Sequence, residues 1–384
     1  MVAPAEAAPD PPPPPQWIVG DLHVHVSPPD AAGHSVYTVE TAIAKARDQG
    51  LDFVVLAPHD ADGTFGPDAT TGGVALSGQD LAAKLAKDAL AVPAAPLADG
   101  TPGPAPRRIV VVPGWEFTRT WPGHQTLAFF RMADLAKLEG DRKSEAVIAK
   151  GGLAVVNHPF FRPVKMDPYF TKMMGKLGVE WSGDRSWKPF LGAGRDPLQW
   201  NAIEVWHERS VLVERMHAKT AAQYPDTQMA HDGLAAWDRA TKEQRRRISA
   251  VGGSDCHGRM PYAIVPMKMT SVAVPTFDEE GLRLGLVGAR VTFGQDGGAA
   301  ARDFAATSDV AGARAVIGDT LAAKAEVRLT WTGAATLVED GVRVGEFDGG
   351  AVRKVDPPGS FHFWRIEMKG DAYSNMIYAN LPER

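Results

Sequence analysis

The first apolar run of the chain closes with Asp21-Leu22-His23-Val24-His25, shortly after a Pro-rich start. Successive side chains of a β-strand alternate between its two faces, so His23 and His25 are expected to project from the same face. Two imidazoles on one face can offer two nitrogen ligands to a single metal ion. The stretch therefore predicts a strand that ends in half of a metal site.

Four later apolar runs end in the same way, with a potential metal ligand at or just beyond their carboxyl ends. These ligands are His59 after residues 53–56, Glu116 after 109–112, His158 after 153–156, and Asp255 with His257 after 248–251. The carboxyl ends of the strands of a parallel barrel form one face, where barrel enzymes place their catalytic residues. The repeated placement predicts one shared polynuclear metal site.

Between residues 17 and 293, short β-branched runs alternate with helix-like segments, which is typical of βα units around a parallel sheet. Helices are predicted over residues 39–49, 79–90, 145–150, 211–223 and 279–288. We favour a closed barrel over an open doubly wound sheet, because only closure brings so many strand ends to one point.

Composition divides the chain into three parts. Residues 1–16 are rich in Ala and Pro and predict a disordered or polyproline leader, whereas residues 17–294 form the predicted barrel. Residues 295–384 contain short runs with turn signals, which predict a small β-sandwich-like domain. Within the barrel, the aromatic-rich insertion 160–200 is either a satellite hydrophobic cluster or a lid over the site.

The chain has 384 residues and a single cysteine, Cys256, which excludes an intrachain disulfide and a cysteine-based zinc site. Metal ligands are therefore expected to be histidines and carboxylates, which suit zinc, manganese or iron. The net charge of −5 gives no electrostatic footprint for nucleic acid, so a small-molecule substrate is expected as the partner. The oligomeric state is left open.

No apolar run reaches the ~18 residues that a membrane span requires. The sequence therefore predicts a soluble protein, cytoplasmic or, if a secretory signal has been trimmed from the Pro-rich leader, periplasmic or secreted.

Several short motifs follow one another in order along the predicted barrel. They are Asp21-Leu22-His23-Val24-His25, His59, Pro113-Gly114-Trp115-Glu116-Phe117-Thr118, Gly123-His124, Asn157-His158-Pro159, Ile203-Glu204-Val205 and Gly253-Ser254-Asp255-Cys256-His257-Gly258. Together they resemble the polymerase and histidinol phosphatase (PHP) family. The C-terminal β segment, together with Met376-Ile377-Tyr378-Ala379-Asn380 near its end, is similar to the carbaryl-hydrolase-like branch of that family.

The resemblance implies a distorted, TIM-like (β/α)7 barrel with up to three divalent metal ions at its carboxyl face. Carried over by motif, it implies that His23, His25, Glu116 and Asp255 hold one ion, that Glu116 bridges to a second ion held by His124 and His158, and that His59, His257 and Asp30 hold a third.

Two positions depart from the family pattern. The turn at residues 28–34 replaces the usual Ser-Asp-Gly, so His34 is a rival to Asp30, which we place first because of its spacing and its carboxylate. The Asp that usually precedes the third-ion histidine is absent before His59, and Asp60 or Asp62 is its substitute.

The resemblance implies a hydrolase that uses a metal-activated hydroxide, with a phosphomonoester or phosphodiester as the favoured substrate. Besides Glu116, the predicted catalytic residues are Arg259 and His207. His207 would act as a proton donor, against the alternatives of an outer partner of the ligands or, more simply, a packing residue. Arg119, Arg162 and Arg259 are predicted to bind substrate, against the alternative of solvated surface cations.

The sequence leaves three other functions open. A carboxyl ester or carbamate hydrolase for an apolar substrate is favoured by the aromatic insertion. A noncatalytic binding module is disfavoured by the full ligand set, and an editing nuclease by the acidic charge balance.

Overall fold

A computed structural model of the chain describes residues 15–27, 30, 33–59, 108–117, 124–130, 142–159, 200–207, 229–259 and 263–382. The predicted helices over 79–90 and 211–223, nearly all of the leader and nearly all of the aromatic insertion lie outside these residues. Among the described residues, no helix is long and apolar enough to cross a membrane.

The protein is a mixed α/β chain with a large sheet and few described helices. Its N-terminal part contains β1 (Gln16–Val24), α1 (Val39–Asp48), β2 (Phe53–Leu56), β3 (Val110–Phe117), β4 (Gln125–Ala128), α2 (Arg142–Ala149), β5 (Leu153–Val156), β6 (Ala202–His207), α3 (Met229–Gln244), β7 (Ser249–Gly253), β8 (Thr270–Val274), α4 (Glu279–Val287) and β9 (Val291–Gly294).

The strands from β1 to β7 pair in sequence order. Pairs β1–β2, β2–β3, β5–β6 and β6–β7 are parallel, as the alternation of runs predicts. Strand β4 is antiparallel to both β3 and β5, which corrects the expectation of uniform βα units. Only residues 118–124 separate β3 from β4, fewer than the dozen or so that a parallel crossover needs.

The end of β1 also lies beside the segment that follows β7. Val24 and Cys256 form a parallel bridge. The Cys256 amide donates to the carbonyl of His23 at 3.1 Å, and the His25 amide donates to the carbonyl of Cys256 at 2.8 Å. These bonds place the ligand-bearing ends of the first and last strands of the series side by side.

The helices follow the amphipathic pattern of their sequences. In α1 the Thr38 side chain caps the amino end by accepting from the Thr41 amide, and Val39, Ala42 and Ile43 are buried. Helix α4 begins in the same way, with an Asp278 cap. Helix α2 starts three residues before its predicted start at residue 145. Helix α3 was not predicted, although it buries Leu234, Trp237 and Ala240 in the core.

The C-terminal part consists of β10 (Ala305–Ser308), β11 (Arg314–Val316), β12 (Thr320–Leu321), β13 (Glu326–Glu339), β14 (Val342–Lys354), β15 (His362–Met368), β16 (Ala372–Ser374) and β17 (Ile377–Ala379). It has a hydrophobic cluster of its own around Phe304, Leu337 and Trp364. Strand β16 pairs with β9, so the sheet continues from one part to the other. A separate sandwich domain stays a prediction.

One buried ion pair joins the two parts. Arg365 on β15 donates from Nε and Nη2 to the two carboxylate oxygens of Asp238 on α3, at 2.9 and 2.8 Å, and both side chains are buried. Such a bidentate pair fixes the helix against the C-terminal strands.

Replacing Arg365 by Met should lower the free energy of unfolding by about 3–5 kcal/mol, because it leaves the buried carboxylate of Asp238 without its charge partner. Arg290→Met breaks the more exposed pair with Asp319 and should change it by less than about 1 kcal/mol. Urea unfolding of the two variants provides the measurement. Equal losses would contradict a special role for the Arg365 pair.

Candidate metal centre

The His-x-His pair lies at the carboxyl end of β1, and both rings are buried. The Nε2 atoms of His23 and His25 lie 3.2 Å apart. The two nitrogens therefore point to the same place, where neighbouring strands contribute further ligands.

Four buried side chains form what we call the first group: His23, His25, Glu116 and Asp255. Nε2 of His23 lies 3.3 Å from Oε1 of Glu116 and 3.5 Å from Oδ1 of Asp255. Nε2 of His25 lies 3.3 Å from Oε2 of Glu116 and 3.1 Å from Oδ1 of Asp255. The ends of β1, β3 and β7 thus supply all four ligand atoms.

The second group contains Glu116, His124 and His158. Oε1 of Glu116 is 3.1 Å from Nδ1 of His124 and 3.6 Å from Nε2 of His158. His124 precedes β4, so the antiparallel direction of that strand brings its amino end to the face where other strands end. Glu116 is shared by the first and second groups, as a bridging carboxylate requires.

The third group consists of four imidazoles, those of His25, His34, His59 and His257. Nε2 of His34 lies 2.7 Å from Nε2 of His59 and 2.8 Å from Nε2 of His257. His34, and not Asp30, is thus the fourth member of this candidate group among the described residues.

Asp30 is buried but belongs to none of these groups among the described residues. Its carboxylate hydrogen-bonds Nδ1 of His25 at 2.8 Å, on the ring edge opposite Nε2, and accepts from the His59 amide at 2.7 Å. The geometry favours His34 over Asp30 as the ligand, because Asp30 is turned toward the outer side of the histidines.

The donor set fits divalent metal ions. Around a tetrahedral zinc with bonds of about 2.0–2.1 Å, neighbouring ligand atoms lie about 3.3 Å apart, close to the spacings in the first group. Imidazole nitrogens less than 3 Å apart, as in the third group, cannot both hold a proton facing the other. A shared cation would remove that conflict and compensate the buried carboxylates.

Two candidate ligands have unusual backbone conformations. His158 has φ +25° and Asp255 has φ +53°, in a region that non-glycine residues seldom adopt. Such conformations cost on the order of 1–3 kcal/mol and concentrate at functional sites. Each conformation turns its residue out of the preceding strand direction and toward the cluster.

The carboxylates set the charge of the first group. Burial alone would lower the pKa of His23, but Glu116 and Glu204 outweigh it and hold that pKa well above its ordinary value. Burial would also lower the pKa of His25, but the surrounding carboxylates, Asp30 foremost, hold it well above its ordinary value. Burial would raise the pKa of Glu116, but the charges of the surrounding histidines hold it well below its ordinary value.

The other three histidines of the third group have lowered pKa values. Burial, assisted by the charge of His25, lowers the pKa of His34 to about 4. Burial also holds the pKa of His59 and of His257 well below the ordinary value, again with help from His25. These three imidazoles are therefore neutral at pH 7 and ready to bind a cation.

The other predicted site residues are only partly described. His207 is buried, with Nε2 3.7 Å from Oδ2 of Asp255 and its ring centroid 5.2 Å from that of His158. Arg259 is exposed and donates from Nη1 to the carbonyl of Gly33, beside His34. Arg119, Arg162, Asp60 and Asp62 lie outside the described residues.

Two buried polar residues of the sequence motifs, Asn157 and Glu204, contact the candidate ligands, although no role was predicted for either. Nδ2 of Asn157 donates to Oε1 of Glu116 at 2.7 Å and to Oγ1 of Thr126 at 2.9 Å. Glu204 approaches His23 and His158. The available signals were the position of Asn157 next to His158 and the presence of an acidic residue, Glu204, inside an apolar strand run.

No family model and no curated protein sequence matches the chain. Among solved structures, it is similar to a two-domain protein from Bacteroides vulgatus ATCC 8482 that contains a predicted PHP-like metal-dependent phosphoesterase, with TM-score 0.42, 12% identity and coverage of 94% of this chain and 93% of that one. It is also similar to an amidohydrolase from Chromobacterium violaceum with bound sulfate and no metal, with TM-score 0.31, 15% identity and coverage of 62% and 87%. Both TM-scores lie below 0.5, so the assignment of the site rests on the side chains of this chain.

Zinc binding near pH 7 should release protons, because the raised pKa values of His23 and His25 keep both rings protonated until a metal ion displaces the protons. Affinity for the first group should therefore rise with pH, whereas His34, His59 and His257, whose pKa values are lowered, should bind without such release. Calorimetric titrations in two buffers of different ionisation enthalpy measure the proton count. A binding enthalpy independent of buffer would contradict the prediction.

Replacing Asn157 by Leu keeps the side-chain size but removes the donor to Glu116. Zinc affinity should fall about 10–100-fold, as for other outer partners of metal ligands. Competition with a chromophoric chelator gives the affinity. Asn201→Leu is the matched control, because the Asn201 side chain bonds only the Ala154 and Gly152 backbone groups in the described contacts. It should lower stability without changing affinity.

Proposed function

We propose that the chain is a PHP-type metal-dependent hydrolase that cleaves phosphomonoesters or phosphodiesters. The observation that supports this most directly is the shared Glu116, which joins the first and second groups, while His25 joins the first and third. Buried ligands in adjoining groups of this kind are characteristic of polynuclear hydrolytic centres.

The proposed ligands follow the three groups. His23, His25, Glu116 and Asp255 would hold one ion, Glu116, His124 and His158 a second, and His34, His59 and His257 a third. This set agrees with the motif resemblance except that His34 takes the place of Asp30.

We also propose the distorted (β/α)7 barrel over residues 17–294, with residues 295–384 as the C-terminal domain. Support comes from the sequential pairing of β1 to β7 and from the Val24–Cys256 bridge. In such a barrel the three groups lie at the carboxyl face.

Bound divalent ions would supply Lewis acidity, lowering the pKa of a water molecule and stabilising negative charge on the substrate. Glu116 and Asp255 would hold these ions through their negative charges, and Glu116 belongs to both the first and the second groups. His207 would hold a proton beside Asp255, and Arg259 with Arg119 and Arg162 would bind the substrate anion.

Formal charge connects the number of ions with the substrate class. In the part of the chain that the structure describes, the buried carboxylates that face imidazole nitrogens of the cluster are those of Asp30, Glu116, Glu204 and Asp255, for a formal charge of −4. Three divalent ions add +6 and leave +2, which suits a phosphate dianion. Two ions would leave zero, which suits an uncharged ester or carbamate.

The zinc- or manganese-loaded protein is expected to hydrolyse p-nitrophenyl phosphate or bis-p-nitrophenyl phosphate in preference to naphthyl carbamates. His34→Ala removes the third group and should lower kcat/KM for the phosphate ester by about 100-fold, or about 2.7 kcal/mol. His362→Ala, a histidine paired with Asp340 in the C-terminal part, should leave it unchanged.

Turnover of carbamates alone would overturn the phosphoesterase assignment. A purified protein that holds no metal and gains none on reconstitution would favour the noncatalytic binding module instead.

A further inference from the structure

We propose that Asp30 and Glu204 are a matched pair of positioning residues. Each carboxylate hydrogen-bonds one ring of the His-x-His pair and the backbone amide of a second candidate ligand. The inference rests on the metal centre of the proposed function, but not on the reaction or the substrate. It assigns the two carboxylates to the same task on opposite sides of the cluster.

Asp30 makes the first of these ties. One oxygen of its carboxylate lies 2.8 Å from Nδ1 of His25, and the other accepts from the backbone amide of His59 at 2.7 Å. His25 belongs to both the first and the third groups, and His59 belongs to the third. Asp30 thus fixes a ring and a backbone segment that must stay together for the third group to exist.

Glu204 makes the second tie, from β6. Its Oε1 lies 3.2 Å from Nδ1 of His23, and its Oε2 accepts from the backbone amide of His158 at 2.8 Å. His23 belongs to the first group and His158 to the second. The pattern is therefore the same as at Asp30: one imidazole Nδ1 and one ligand amide on a single buried carboxylate.

The chain also leaves room for the Glu204 carboxylate. A Cβ atom at Gly253 would overlap Oε1 of Glu204 and come within 2.8 Å of Cβ of His23. Any larger residue at Gly253 would push the carboxylate or the ring out of place. The glycine that closes β7 is thus part of the same arrangement.

The two carboxylates determine which nitrogen faces the metals. An ionised carboxylate only accepts, so Nδ1 of each ring must donate, and Nε2 is left to bind a cation. The Nε2 atoms of His23 and His25 are those that face Glu116 and Asp255. Both rings are therefore held in one orientation before a metal binds, and in the metal-bound state Nδ1 keeps its proton while Nε2 faces the cation.

Glu204 also belongs to a group with His23 and His158 whose atoms lie close enough to hold an ion. A cation there would compete with the Nδ1–H of His23 and the amide N–H of His158, both of which the carboxylate already accepts. The hydrogen bonds favour positioning over direct ligation.

The test uses the full-length, zinc-loaded protein labelled with 15N-histidine, together with Asp30→Asn and Glu204→Gln. An amide of the same shape can accept on one side only, so each variant loses one of the two bonds. Long-range 1H–15N spectra report which ring nitrogen has the proton. Equilibrium dialysis with elemental analysis gives zinc number and affinity.

In the wild-type protein, His23 and His25 should both show protonated Nδ1 and metal-bound Nε2. Asp30→Asn should change the signals of His25 and leave those of His23, and Glu204→Gln should do the reverse. Each variant should bind at least one zinc ion about 10–100-fold more weakly. Asp48→Asn and Glu40→Gln, at exposed positions on α1, should match wild type in both measurements.

Three results would overturn the proposal: metal bound through Nδ1 in the wild-type spectrum, equal perturbation of both rings in either variant, or unchanged zinc affinity in both. The wild-type spectrum decides even if a variant fails to fold. A protein with the expected tautomers that hydrolyses no phosphate ester would contradict the proposed function and leave this inference intact.

Discussion

The concentration of buried charge around Glu116 is the constraint on which the rest of the structure depends. Carboxylates and imidazoles withdrawn from water are stable only when every atom has a partner of opposite charge or a hydrogen bond. The strand ends meet this condition by converging on Glu116 from β1, β3 and β5. Asn157 meets it by donating to the same carboxylate. Bound divalent ions would complete the compensation.

The same constraint explains why the surrounding scaffold is so apolar. Strands β2 and β5 are buried along their whole length, which fixes the backbone that presents the ligands. The strained backbone at His158 and Asp255 requires such rigid neighbours, since a looser sheet would relax it. The buried strands and the charged site therefore stabilise each other, and the carboxylates of Asp30 and Glu204 connect the two.

Features that depend on local pattern could be predicted from the sequence, and features that depend on three-dimensional turns could not. Apolar runs with polar ends indicated where His23, Glu116 and Asp255 would lie. The choice between Asp30 and His34 depends on hydrogen bonds from the Asp30 carboxylate to the His25 ring and to the His59 amide, which no spacing reveals. The direction of β4 depends on a short connection between two strands, which the alternation of apolar runs does not reveal.

The reversed direction of β4 has a consequence for the order in which the site can assemble. Glu116 and His124 are eight residues apart and belong to neighbouring antiparallel strands, so closing one short loop brings two ligands together. His23 and Asp255 come from opposite ends of the series β1 to β7 and meet only after that whole stretch has folded. During folding, the second group can therefore begin as a hairpin, while the first group is a product of the finished sheet.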